Sequence, residues 1–245
     1  LGFSHTEEDV LMRLRYQEGF VQLIAKGSVF IQREGVSKRY QCLQLDDSSL
    51  VTAISTGRIC CSTEQYLRQT ARQLVSGVDR MHSLGVVRRN IEPSNLLLGA
   101  DGALHFAGFD LAKLCDPRAV QDKAMWQPVG SYTYMSPDML TGGSCSCIVD
   151  EWAVGATLLD LASELQMGQL CDSTSERGQH RAKRYLDQFV NCKAQCCEGK
   201  LAAQLTDPHC FAGMRDFVAA CCGLGPYDNK PQAASQLMQH HWLQG

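Results

Sequence analysis

The stretch VVRRNIEPSNLLLGADGALHFAGFDL, residues 86–111, decides the fold. It reads as a polar loop, a hairpin and a second polar loop. Ile91 and Leu96, Leu97 and Leu98 make the first apolar run, Gly99-Ala100-Asp101-Gly102 supplies the turn, and Leu104, Phe106 and Phe109 alternate along the return strand. Such a hairpin holds its two flanking loops side by side. Asn95 of the first loop and the polar group of the second then face one ligand position.

Outward from the hairpin the chain is mixed on one side and helical on the other. Upstream, residues 5–15 place Val10, Leu11 and Leu14 at helical spacing behind the acids Glu7 and Glu8. Two short strands are predicted at 21–32, interrupted at Gly27, and at 40–45, and Asp46, Asp47 and Ser48 break the pattern. A helix then starts at a Ser62-x-x-Gln65 capping box, lines up Leu67, Ala71, Leu74, Val75, Val78 and Met81, and stops at Gly85. Downstream, residues 112–129 lack periodicity and read as a surface loop. Residues 149–165 are apolar all round, which marks a buried helix. Further helices are predicted at 181–192, 211–222 and 232–242, so the fold class is α+β with a large helical part.

Bulk properties exclude several function classes. With 245 residues the chain is long enough for a sizeable core. A net charge of -3 with 20% charged residues gives no basic face for nucleic acid or an anionic membrane. No apolar window approaches the ~20 residues of a transmembrane helix and no signal peptide opens the chain, so a soluble, intracellular, cytoplasmic protein is expected. The 13 cysteines fall at irregular spacings, and an odd count without a secretory signal argues against a disulfide scaffold. Cys145-x-Cys147 and the Cys192, Cys196, Cys197 group lack the repeated two-residue spacing of zinc sites and read as small buried hydrophobes or surface thiols. Opening on Leu1 rather than Met, the sequence reads as a fragment of a longer chain.

Five motifs stand in the order of one known family. Residues 81–87 (MHSLGVV) approach the first loop, 91–95 (IEPSN) complete it, 130–138 (GSYTYMSPD) close a long segment, 150–155 (DEWAVG) open the buried helix, and Lys230-Pro231 with residues 240–243 precede the end. Together they resemble the eukaryotic protein kinases, in Ser/Thr-kinase wording, and Tyr134-Met135-Ser136-Pro137 leans toward the MAP-kinase-kinase branch. The resemblance covers about residues 6–243. It implies one kinase-like domain over 1–245, made of a partial N-lobe at 1–47, without the Gly-rich loop and the Lys-bearing strand, and a helical C-lobe at 48–245.

What the resemblance implies about site residues is mostly loss. Asn90 stands at the catalytic Asp position, where an amide is no base, a change worth about 10²- to 10⁴-fold in rate. Glu92 stands at the position of the loop's Lys and would repel phosphate by about 4 kcal/mol at about 4 Å and a dielectric of about 20. Gly108 replaces the magnesium-binding Asp, and Asp110, two residues on, is about 6 to 7 Å away along an extended chain. Of the metal-binding pair only Asn95 remains. Gln44 falls at the hinge and Glu8 at the Glu that pairs with the missing Lys. Arg89 keeps the phosphate-binding Arg position, although residues 112–129 offer no Ser, Thr or Tyr. Structural positions persist: Asp150 as the tether of the first loop, and Asp138 with Lys230 as the ion pair fastening the long segment. Arg88 replaces the family His beneath Phe109, set to stack on its ring or to bond Asp110.

These residues predict a pseudokinase, a kinase-fold scaffold or allosteric module in signalling that binds a protein partner such as an active kinase. ATP and magnesium enter through the resemblance alone, with weak or absent binding expected. An active or weakly active Ser/Thr kinase is the alternative. The Leu1 start and scattered cysteines suggest a third reading, the unstable product of an eroding gene.

Overall fold

The computed structural model describes residues 5–31, 36–43, 48–59, 63–119, 124–125, 127–140, 144–162, 212–227 and 231–245. Helix α1 (His5–Arg13) buries Val10 and Leu11 and keeps Glu7 and Glu8 in its first turn. The chain then meets the hairpin's return strand, where the Phe106 N–H donates to Gly19 O at 2.9 Å and the Val21 N–H to Phe106 O at 3.1 Å. Strands β1 (Leu23–Ile31) and β2 (Val36–Leu43) follow as an antiparallel ribbon. The break expected at Gly27 does not occur, because Gly27 pairs in register with Tyr40 and the ladder runs through it.

Strand β3 (Ser48–Ser49) leads into a short helix α2 (Leu50–Ser55), capped by Ser49 Oγ accepting the Thr52 N–H at 3.2 Å. The acidic break around residue 47 conceals this helix in the sequence. Helix α3 (Glu64–Ser83) buries the predicted apolar face. Its N-cap is Thr63, accepting the Tyr66 N–H at 3.3 Å, one residue later than the capping box implied. Strands β4 (Val86–Val87), β5 (Leu96–Leu98), β6 (Leu104–Phe106) and β7 (Lys113–Leu114) carry the central stretch. β3, β5 and β6 form one antiparallel sheet with Leu96 opposite Phe106, and β4 pairs with β7, which clips the loop after Leu111 back onto the loop before Asn90. Phe109, expected on the return strand, sits instead in a 3₁₀ turn, because Gly108 in left-handed geometry ends strand conformation.

Beyond β8 (Ala124–Met125), helix α4 (Pro137–Leu140) and β9 (Ser144–Cys145), helix α5 (Val149–Ala162) is buried at every position. Helix α3 packs on it from one side and α6 (Ala212–Cys222) from another. The helix expected over 232–242 is divided into α7 (Ala234–Leu237) and α8 (His241–Gln244), with the His240 ring accepting the Trp242 N–H to cap the second piece. The helix predicted at 181–192, like Gln44, Lys230 and the Cys192, Cys196, Cys197 group, lies outside the described residues. Among the described helices none is long and apolar enough to cross a membrane.

Candidate functional site

The first loop is fixed from below by α5. Asp150, fully buried, accepts the Arg88 N–H at 2.8 Å on one oxygen and the Arg89 N–H at 2.7 Å on the other. These two bonds hold Arg89 at φ 63, a left-handed geometry that an arginine does not adopt without support. Two turns further along, Thr157 Oγ1 donates to Ile91 O at 3.3 Å, and Asp160 accepts the Tyr134 hydroxyl at 2.6 Å. One helix thus anchors the first loop and the end of the long segment together.

Arg88 dominates the site. Its side chain is fully buried, Nη2 donates to Ala107 O at 2.6 Å, Cζ lies 5.2 Å from the Phe109 ring centroid, and Nη1 is buried with no partner. Gly108 makes this arrangement sterically feasible. At φ 64 and ψ 56, a Cβ on it would stand 3.1 Å from Asn95 Oδ1 and 3.3 Å from Arg88 Nη2. The guanidinium therefore lies against the place where a side chain at 108 would begin. Burial pulls its pKa down to about 10, with Asp150, Asp110, Glu92 and Glu7 opposing that shift. It remains a cation near neutral pH.

The stacking expected of Arg88 is present, but the expected bond to Asp110 is not. Arg88 bonds the Ala107 carbonyl instead, and exposed Asp110 acts on it only through its charge. The acid that reaches the second loop is one that sequence reasoning passed over, Glu7. Its carboxylate accepts the Phe109 backbone N–H, and burial raises its pKa, assisted by Asp110 and opposed by Arg88. Glu8, placed by resemblance at the paired-Glu position, points to Lys26 on β1, in a largely exposed ion pair. Adjacent helical residues diverge by about 100°, so of Glu7 and Glu8 only one can face the loop.

Around the loop the remaining polar groups are occupied with one another. Asn95 Nδ2 donates to Asn90 O at 3.2 Å and to Glu92 Oε1 at 3.3 Å, and Ser94 Oγ donates to the same Glu92 oxygen at 2.7 Å. Asn90 Oδ1 accepts the Ser131 N–H at 3.2 Å, against Gly130 at φ +97, where any Cβ would come within 2.6 Å of that oxygen. Asn90 therefore ties the loop to the long segment. Arg89 Nε donates to Leu111 O at 2.8 Å and ties the two loops to each other. Asp138 is exposed on α4.

A buried ionic cluster beneath the loop also escaped the sequence reading. The His82 ring has Nε2 3.0 Å from Asp150 Oδ2 and Nδ1 3.4 Å from Glu151 Oε1. Burial alone would lower its pKa, but Asp150, Cys147 and Glu151 raise it well above the ordinary range. Glu151 is itself fully buried and accepts the N–H of Ala234 at 2.9 Å, tethering the start of α7. The one hint in the sequence was a charged residue at an otherwise apolar helix position.

A sequence profile of the protein kinase domain matches residues 25–243, and the chain belongs to the protein kinase family. It is 34% identical over 96 residues to a probable myosin light chain kinase of Dictyostelium discoideum, covering 38% of this chain and 26% of that protein. It is 32% identical over 123 residues to a probable serine/threonine-protein kinase of Arabidopsis thaliana, covering 50% and 21%. A mitogen-activated protein kinase kinase of Physcomitrium patens is 34% identical over 100 residues, covering 40% and 28%. The matches thus span between 21% and 28% of these relatives' own length. With several kinase branches represented, the wording of residues 134–137 does not single one out.

Kinases of this family generally use ATP with magnesium, and the residues here do not fit the metal. Gly108 supplies no side-chain oxygen, and a buried cation, Arg88, lies against it. The Asn95 amide is drawn onto Asn90 and Glu92, and Asp110 is exposed within the 3₁₀ turn. A neutral amide alone holds Mg²⁺ poorly, and a guanidinium within a few ångströms repels it.

Proposed function

We propose that this chain is a pseudokinase domain, a kinase fold that acts by binding a protein partner and does not transfer phosphate. The observation that carries the reading is the pairing of Arg88 with Gly108: an internal cation lies where the family's metal site requires a carboxylate. Asn90 supports it, since its carbonyl oxygen is bonded to Ser131 and an amide cannot take a proton from a substrate hydroxyl. Glu92 adds a negative charge beside the loop.

The scaffold role is supported by exposed apolar side chains on the partial N-lobe, which we take as residues 1–47, with 48–245 as the helical lobe. Tyr16 is 80% and Ile24 67% exposed. An active kinase is the partner we favour. A cytoplasmic setting is consistent with the free thiols of Cys42, Cys115, Cys147, Cys221 and Cys222.

The test is phosphotransfer from labelled ATP to itself and to generic protein substrates, using the full-length protein with an Asn95→Ala control. The reading expects equal background incorporation in both. Incorporation by the natural protein that Asn95→Ala abolishes would establish the alternative, an active Ser/Thr kinase with unorthodox residues.

A further inference from the structure

We propose that His82, Cys147 and Glu151 form a zinc site that clamps the end of α3 to the start of α5, independently of whether the domain transfers phosphate. One donor atom from each residue lies within 4.8 Å of the other two, and all three residues are buried. The His82 Nδ1 to Glu151 Oε1 distance is 3.4 Å. A tetrahedral ion about 2.1 Å from nitrogen and oxygen donors holds its ligands about 3.4 Å apart, so this edge needs little adjustment.

Two further observations point to an ion rather than to packing alone. Glu151 Oε1 is satisfied by the Ala234 N–H, but Oε2 is buried without any hydrogen-bond partner. A fully buried carboxylate oxygen left unpaired is costly, and a dication on the neighbouring Oε1 of the same carboxylate offsets that cost. The second observation is the outer contact of the histidine. His82 Nε2 lies 3.0 Å from Asp150 Oδ2, and donation from a ligand histidine's other nitrogen to a carboxylate is the usual support of zinc-bound imidazole.

Charge also balances. Zinc would displace two protons to solvent, one from His82 Nδ1 and one from the Cys147 thiol. The resulting site of one dication, one thiolate, one carboxylate and one neutral imidazole is neutral overall, as burial demands. Water takes the fourth position. His82 lies 65 residues before Cys147, so the short Cys147-x-x-x-Glu151 spacing does not by itself announce the site. The other grouping of potential ligands among the described residues, Asp216 with His240 and His241, does not qualify. There the Trp242 N–H donates to His240 Nδ1, which puts the ring proton on Nε2, facing Asp216.

Such a site would stiffen the ground beneath the first loop, since Asp150 is at once the partner of His82 and the acceptor of the Arg88 and Arg89 N–H groups. The experiment is metal analysis of the full-length protein, followed by replacement with cobalt(II). Expected are one zinc per chain, and on substitution the thiolate-to-cobalt charge-transfer band with the intense visible bands of tetrahedral cobalt. Cys147→Ser should lose the charge-transfer band, while Cys115→Ser, a nearby thiol outside the grouping, should keep it. Glu151→Gln, which retains an acceptor for Ala234, should weaken zinc by ~10-fold or more. A cooperatively melting natural protein that takes up neither zinc nor tetrahedral cobalt would overturn the proposal, as would a charge-transfer band that survives in Cys147→Ser.

Discussion

Arg88 Nη2 lies 3.3 Å from the point where a Cβ on Gly108 would stand, so the guanidinium and the missing side chain occupy adjoining space. The two substitutions are complementary: glycine at 108 gives the left-handed turn at no steric cost, and arginine at 88 fills the neighbouring volume with a stacked, buried cation.

Gly108→Ala should destabilise the domain by about 1–2 kcal/mol, the cost of left-handed geometry for an L-residue. Gly108→Asp should cost less than Gly108→Ala despite its larger size, because it sets a carboxylate beside the Arg88 guanidinium, whose Nη1 has no hydrogen-bond partner. Urea denaturation of both variants decides the order, and the reverse order would show that Nη1 is not accessible from position 108.

Arg88→Ala should cost about 3–5 kcal/mol, since it removes a buried cation that faces Asp150, Glu92 and Glu7 and opens a cavity under Phe109. The check is the same denaturation midpoint, and a loss below about 1 kcal/mol would mean that the cation is not balancing those acids.

Glu7 predicts a pH dependence. Burial holds the folded pKa of its carboxyl above the ordinary glutamate value, so the folded state holds the proton more tightly than the unfolded one. Stability from this group is fully present below the unfolded value and declines as pH rises from there through the raised folded value. Glu7→Gln, which keeps an acceptor for the Phe109 N–H, should flatten the decline. A difference between the two proteins that does not vary with pH would contradict the assignment.

Two contacts of unequal setting should differ in weight. Tyr134→Phe removes a buried 2.6 Å bond to Asp160 and should cost about 1.5–3 kcal/mol. Lys26→Ala breaks only the exposed pair with Glu8 and should cost no more than about 1 kcal/mol. Thermal melts of the two variants side by side test the ranking.

The hairpin and α5 were legible in the sequence because each carries a period that one element satisfies: alternation from Leu104 to Phe106, and unbroken apolarity around Trp152. Helix α2 was not, since six residues contain too little of a helical period to outweigh the acidic break before it. The split of the last helix turns on the His240 side chain capping Trp242, a local bond invisible to periodicity. In the site, Asn90, Glu92 and Gly108 could be found by motif order alone. Glu7 could not, because which of two neighbouring acids turns inward is decided by packing, and Glu151 could not, because its partners His82 and Ala234 are distant in sequence. The partner of Arg88 was missed for the same reason: a carbonyl, Ala107 O, lay closer than the carboxylate that its charge suggested.

The most direct test of the central claim, that an internal cation stands in for the magnesium site, is a thermal-shift titration of the full-length protein with ATP, with and without Mg²⁺. The account predicts the same melting temperature with and without the metal at every nucleotide concentration. A rise that requires magnesium, approaching ~2.7 kcal/mol of stabilisation at about 100 times the dissociation constant, would contradict it.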